Sequence, residues 1–105
     1  MGNTFVPMSE TAYLILLSLL EERHGYGIMQ HVAQVTNGRI NLGAGTVYGT
    51  IGKLEKAELI QMIKEEEKRK YYKISKEGRA VLKQELNRIQ ELCKVGEAAL
   101  EDGKE

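Results

Sequence analysis

The chain has 105 residues, of which 15 are Lys or Arg and 15 Asp or Glu, so its formal net charge is zero. That length holds one domain, and 42% apolar with 29% charged residues excludes wholesale disorder. The single cysteine, Cys93, excludes an internal disulfide framework and suits a reducing compartment, so a cytoplasmic location is expected.

The longest apolar stretch, Ala12 to Leu20, falls short of the roughly 20 apolar residues that span a bilayer. Glu10 precedes it and no Lys or Arg occurs before Arg23, so it lacks the basic flank of a secretory signal. No membrane partner is expected. Residues 1–8 read as a flexible leader ending after Pro7. Ser9 is a good N-cap for a first helix running to about Glu22. Tyr13, Leu14, Ile15, Leu16, Leu17, Leu19 and Leu20 make that helix apolar nearly all round, which calls for cover on several sides and points to a partner chain.

Arg23-His24-Gly25-Tyr26-Gly27 breaks the pattern, and a second helix is expected from about Tyr26 to Val35 with Ile28, Val32 and Val35 on one face. Asn37-Gly38 marks a turn, and Ile40 and Leu42 alternate with polar residues as a very short strand would. Gly43-Ala44-Gly45-Thr46 opens a third helix to about Glu58, with Val47, Ile51 and Leu54 as its inner stripe; simple N-capping by Thr46 is the plain alternative to phosphate contact there. Gly49 and Gly52 each cost such a helix about 1 kcal/mol relative to Ala, which is consistent with close approach of a partner or simply with small surface residues.

Two alternating runs, from Ile60 and from Arg69 to Ile74, flank the charged stretch Glu65-Glu66-Glu67-Lys68 and predict a β-hairpin. With no Asn-Gly or Asp-Gly between them, a turn longer than two residues is expected. Ser75 then caps a last helix on which Leu82, Leu86, Ile89, Cys93, Gly96 and Leu100 recur at steps of four and three. That narrow seam has no obvious mate within the chain. Residues 101–105 read as a frayed acidic tail.

The order helix, helix, short strand, helix, hairpin, helix predicts a mostly α fold with a small β-hairpin (α+β): a winged helix-turn-helix over residues 9–75, then a C-terminal dimerisation helix over 76–100, the alternative being a generic α+β domain with the same elements. Three blocks sharpen this. Leu16-Leu17-Ser18-Leu19-Leu20 is followed by His24-Gly25-Tyr26-Gly27-Ile28. Gly45-Thr46-Val47-Tyr48 leads to Lys53-Leu54-Glu55 and Leu59-Ile60. Arg69-Lys70-Tyr71-Tyr72-Lys73-Ile74 runs into Ser75-Lys76-Glu77-Gly78-Arg79. In these blocks, over roughly residues 9 to 82, the sequence resembles the PadR family of bacterial transcriptional regulators, in its short branch with one C-terminal helix. The resemblance implies a homodimeric winged helix that binds double-stranded operator DNA and represses transcription. It also allows a small aromatic effector at the dimer interface. No Trp is present to stack on one, but Phe5, Met8 and Tyr13 would line a smaller pocket.

Zero net charge conceals a gradient. Residues 1–60 carry four basic and five acidic side chains, 61–80 seven and four, and 81–105 four and six. The hairpin region therefore holds the positive excess, led by Lys68, Arg69 and Lys70, as phosphate contact requires. The expected DNA-binding residues are Tyr26, Gly45, Thr46, Tyr48, Gly49, Thr50, Lys53, Lys68, Arg69 and Lys70. The helix start with Thr46 offers amide groups to phosphate, and Lys53 is within reach of guanine or phosphate. No Arg, Asn or Gln precedes Glu55 on the third helix, so specificity should lean on DNA shape and dimer spacing. The expected dimer interface is Met8, Tyr13, Leu14, Leu82, Leu86, Ile89, Cys93 and Leu100. His24 and His31 have no companion cysteine, so no metal is expected. No catalytic motif occurs, and neither enzyme activity nor a cofactor is expected. A rival reading is a winged-helix protein-interaction module that does not bind DNA specifically, which the acidic triplet in the hairpin would suit.

Overall fold

A computed structural model describes residues 6–103; Phe5 and most of the expected leader lie outside them. The elements are α1 (Glu10–Ser18), α2 (Gly25–Val35), α3 (Ala44–Lys56), β1 (Ile60–Glu66), β2 (Arg69–Ile74) and α4 (Lys76–Gly103). Ser9 Oγ caps α1 by accepting from Ala12 N–H at 3.1 Å. The helix stops four residues before Glu22, because the following backbone is taken by the hairpin. Leu19 and Leu20 N–H turn back to Leu16 and Leu17 carbonyls, the Leu19 carbonyl accepts from Ile74 N–H at 2.7 Å, and Arg23 and Tyr72 exchange two hydrogen bonds (3.1 and 2.9 Å).

Two helices end on residues in the left-handed region. Asn37 (φ 51°) closes α2, with Gly38 N–H bonded to the Ala33 carbonyl at 2.8 Å. Glu58 (φ 64°) closes α3, with Leu59 N–H on Leu54 and Glu58 N–H on Glu55, both at 3.0 Å. These are Schellman stops, the second made by a residue other than Gly or Asn. The short strand expected at Ile40 and Leu42 does not form. Both side chains are half-buried against the core, but no strand edge adjoins them: β1 and β2 pair with each other, and Arg23 takes up Tyr72. The α3 cap is Gly43, which supplies no side-chain bond, and Thr46 falls inside the helix rather than at its cap.

The hairpin is tighter than expected. β1 pairs with β2 from Ile60↔Ile74 to Glu66↔Arg69, with a bulge at Ile63, and Glu67 and Lys68 alone join the strands. Their φ values of 50° and 67° place both in the left-handed region that a two-residue turn of this hand demands, a strain that Asn-Gly would avoid. Glu65 and Glu66 are strand residues facing Lys70 and Arg69, not loop residues.

Ser75 links three elements. Its Oγ accepts from Gly78 N–H at 3.0 Å to start α4 and donates to the Glu58 carbonyl at 2.8 Å. Gly78 itself lies under the α3–β1 junction, where a Cβ would come within 2.1 Å of the Leu59 carbonyl oxygen. The core gathers Ile15, Leu16 and Leu19 of the α1 region, Ile28 and Val32 of α2, Val47, Ile51 and Leu54 of α3, and Tyr72 and Ile74 of β2. Each fully buried Ile, Leu or Val contributes about 1.5–3 kcal/mol. Met8 and Leu82, expected at a dimer interface, are core residues of this chain. Val81, Leu82 and Glu85 are the last positions of α4 buried in the chain, and the helix runs on through Glu101 to Gly103, where a frayed tail was expected.

Candidate nucleic-acid interface

The buried stripe of α3 (Val47, Ile51, Leu54) sets what its opposite side presents. At 100° per residue, Gly45, Gly49, Gly52, Lys53 and Lys56 share the outward face, with Tyr48 at its edge. All six are exposed, and a Cβ built on any of the three glycines would meet nothing within 4 Å. Among the described residues nothing lies within 4 Å of a Cβ built on Gly49 or Gly52; they make a smooth open strip with two ammonium groups beside it. Lys56 sits centrally on that face and was not singled out by the sequence, because the helix was read by its inner stripe. Thr46 is exposed and Thr50 half-buried, so both lie toward the flank.

The start of α2 meets this helix. Tyr48 Oη lies where a Cβ on Gly25 would be, 2.4 Å away, so Gly25 makes room for the phenol over the first turn of α2. Tyr48 (55% exposed) and Tyr26 (54% exposed) both keep most of their surface in water. Tyr26 is therefore not buried against α3.

His24 joins that helix start to the hairpin. Its Nδ1 accepts from Gly27 N–H at 3.1 Å, its Nε2 lies 3.2 Å from Arg69 Nη1, and its ring meets Tyr71 edge-on at 5.1 Å. Lys64 Nζ sits 4.9 Å from the Tyr71 centroid and 2.8 Å from Glu22. Partial burial and then the Arg69 guanidinium lower the His24 pKa, which favours the neutral ring. His31 is elsewhere, bonded to Ser18 Oγ at 2.7 Å, and burial lowers its pKa as well. Lys68, Arg69 and Lys70 are all exposed at the hairpin tip. Opposite charges across the strands, Glu66 facing Arg69 and Glu65 facing Lys70, temper the positive excess there. His24 was missed as a site residue because a lone histidine beside glycines carries no signal until the fold brings β2 to it.

The arrangement is a helix-turn-helix with a wing: α2 and α3 pack together, the outward face of α3 is open, and the hairpin stands beside it. The sequence profile of the PadR-like transcriptional regulator family matches residues 14–84. The chain belongs to the PadR-like family of transcriptional regulators. Its fold is similar to that of a transcriptional regulator from Clostridium thermocellum (26% identity, TM-score 0.76, covering 93% of this chain and 97% of that one). It is also similar to a PadR family regulator from Eggerthella lenta (27% identity, TM-score 0.72, 88% and 82%). A protein from Lysinibacillus sphaericus is 34% identical over 73 residues, 66% of this chain and 67% of its own length. As in other PadR-like regulators, DNA is the partner that the family implies.

Beyond Glu85, α4 extends past the core. Leu86, Ile89, Leu92, Cys93, Val95 and Leu100 are exposed, Leu92, Val95 and Leu100 by 56, 60 and 84%. Leu92 and Val95 were not part of the expected seam. A cavity of about 500 Å³ lies between α1 and α4, lined by Tyr13, Leu17, Leu20, Leu82 and Leu86 with Arg79 and Lys83 at its edge. A second hollow, where Leu14 joins Met8, Tyr13 and Ile89, flanks the base of the exposed segment. No helix among the described residues is long and apolar enough to cross a membrane.

Proposed function

We propose that this PadR-like regulator acts as a homodimeric repressor at an inverted-repeat operator. The observation that carries it is the open face of α3, with Gly45, Gly49 and Gly52 beside Lys53 and Lys56, next to a wing bearing Lys68, Arg69 and Lys70. A face with little side-chain bulk lets the helix sit deep in a major groove, while the lysines and the wing bind phosphate. Tyr26, Thr46, Tyr48 and Thr50 flank the same face and supply hydroxyls for the backbone.

Dimerisation is the second half of the proposal. Every residue from Ile89 to Asp102 is exposed in this chain, and so short a helical stretch is marginal in water without packing. Ile89, Leu92, Cys93, Gly96 and Leu100 share one face of it, on which a second copy would lie. Two copies of α3 would then enter successive major grooves about 34 Å apart. The cavity between α1 and α4 borders that surface and suits a small, flat apolar effector, whose binding would alter the angle between subunits.

The test is an anisotropy titration with duplexes from the protein's own promoter and with random duplex at physiological salt. Specific repression requires tighter binding to its own promoter; equal affinity for both would refute it. A monomer in sedimentation equilibrium would instead favour a protein-interaction role.

A further inference from the structure

His24 stands between two hydrogen-bond donors. Gly27 N–H points at Nδ1 from 3.1 Å, and Arg69 Nη1 lies 3.2 Å from Nε2. A neutral imidazole has one lone-pair nitrogen, and a guanidinium accepts nothing. Both contacts therefore cannot be hydrogen bonds in the same tautomer. The helix start decides which one forms: α2 opens without another side-chain cap, and the Gly27 amide needs its acceptor. With Nδ1 so occupied, Nε2 carries the hydrogen. Nε2–H and the Arg69 guanidinium are then two donors side by side with no acceptor between them.

The surroundings hold this pair in place. Tyr71 braces the imidazole edge-on, and the Arg23–Tyr72 backbone bonds hold the strand beside it. Lys64, over the other part of Tyr71, is neutralised by Glu22 and Glu66 (2.8 and 3.5 Å). Glu66, the cross-strand neighbour of Arg69, thus pairs with Lys64 instead. Among the described residues Arg69 has no carboxylate partner. Arg69 is exposed and His24 half-buried, and their contact lies at the surface beside the first turn of α2.

We propose that His24 Nε2–H and the Arg69 guanidinium form a two-donor clasp for a single phosphate of the DNA backbone. One anionic oxygen between them satisfies both donors at once, which no group among the described residues does. The clasp rests on the DNA-binding reading and adds to it a contact residue outside the recognition helix. Because α2 and the wing each supply one donor, it fixes the wing's position on the backbone and carries no base preference.

A labelled random-sequence duplex of about 30 base pairs, roughly three turns, is a sufficient probe because the contact is sequence-independent. His24→Asn keeps an oxygen to cap Gly27 but has no second nitrogen to reach the phosphate. It should weaken low-salt anisotropy binding by roughly tenfold with an unchanged melting temperature. Arg69→Gln should weaken it at least as much, and the double variant scarcely further, since a shared ligand couples the two residues. Wild-type affinity in His24→Asn, or losses that multiply in the double variant, would overturn the clasp. Long-range proton–nitrogen NMR of the free protein should show His24 Nδ1 bare; a proton there would overturn it as well. If Lys53→Ala weakens binding while His24→Asn does not, the clasp alone fails. If the wild-type protein shows no salt-dependent binding to duplex, the DNA-binding reading fails and takes the clasp with it.

Discussion

Glu85 is a carboxylate on α4 with no exposed surface, and it ties the start of the chain to its last helix. It accepts from Met8 N–H at 2.6 Å and from Arg88 Nη2 and Nε at 2.8 and 3.1 Å. The Arg88 hydrogen bond, helped by the Met8 amide, holds its carboxyl below the usual carboxylate range against the opposing effect of burial. A folded pKa below the unfolded one gives stability that is present above about pH 4.3 and is lost as pH falls through the folded value. Urea midpoints measured from pH 6 down to 3 should therefore fall more steeply for the wild-type protein than for Glu85→Gln. Truncation by Glu85→Ala leaves the Met8 amide unmet and should cost about 2 kcal/mol in urea unfolding, limited because Arg88 still reaches water. Two glycines offer a sharper contrast. Gly78→Ala drives a Cβ into the Leu59 carbonyl and should cost about 3 kcal/mol. At Gly25→Ala the three nearest atoms all belong to the end of the Tyr48 side chain, which can swing into water, so its cost should stay below about 1 kcal/mol in thermal unfolding. None of these three roles is visible in the sequence, since each depends on a partner distant along the chain.

At the scale of elements, helices were easier to anticipate than the segments between them. Ser9 and Ser75 announce α1 and α4 by capping chemistry that acts within three residues. The inner stripe Val47, Ile51 and Leu54 is a 3.6-residue signal that burial then obeys. The end of α1 could not be read the same way, because the hairpin competes for the backbone of Leu19 and Arg23. The wing turn illustrates the same limit. Glu67 and Lys68 carry no turn signature, yet strand pairing from Ile60↔Ile74 outward leaves two residues to reverse the chain, and both accept positive φ. Replacing them, as E67N/K68G, should raise stability by about 0.5–1 kcal/mol in thermal unfolding by removing that strain. The same pair should lose some DNA affinity through the missing Lys68 charge, with a salt slope smaller by about one.

At the scale of the whole molecule, the chain measures 57 × 35 × 20 Å, and the exposed half of α4 accounts for part of its length. Leu92 lies near the middle of that surface. Leu92→Glu should keep the circular-dichroism helix signal of the winged domain and abolish self-association in sedimentation equilibrium. Duplex affinity should fall at least tenfold, because two linked wings bind one duplex far more tightly than one. A dimeric Leu92→Glu variant would move the interface elsewhere.

The sequence by itself determined the order of elements, the apolar stripes, the capping serines and the concentration of positive charge in residues 61–80. Those properties are local: spacing, capping and charge act over a few residues, and the family motifs are contiguous blocks. Zero net charge proved a sum of unlike regions rather than an argument against DNA. Only the tertiary structure decided that Met8 and Leu82 belong to the core, that Glu85 is buried, and that His24 meets Arg69. Each of those facts depends on a chain crossing that brings together residues tens of positions apart, and such crossings are set by the packing of all the elements at once.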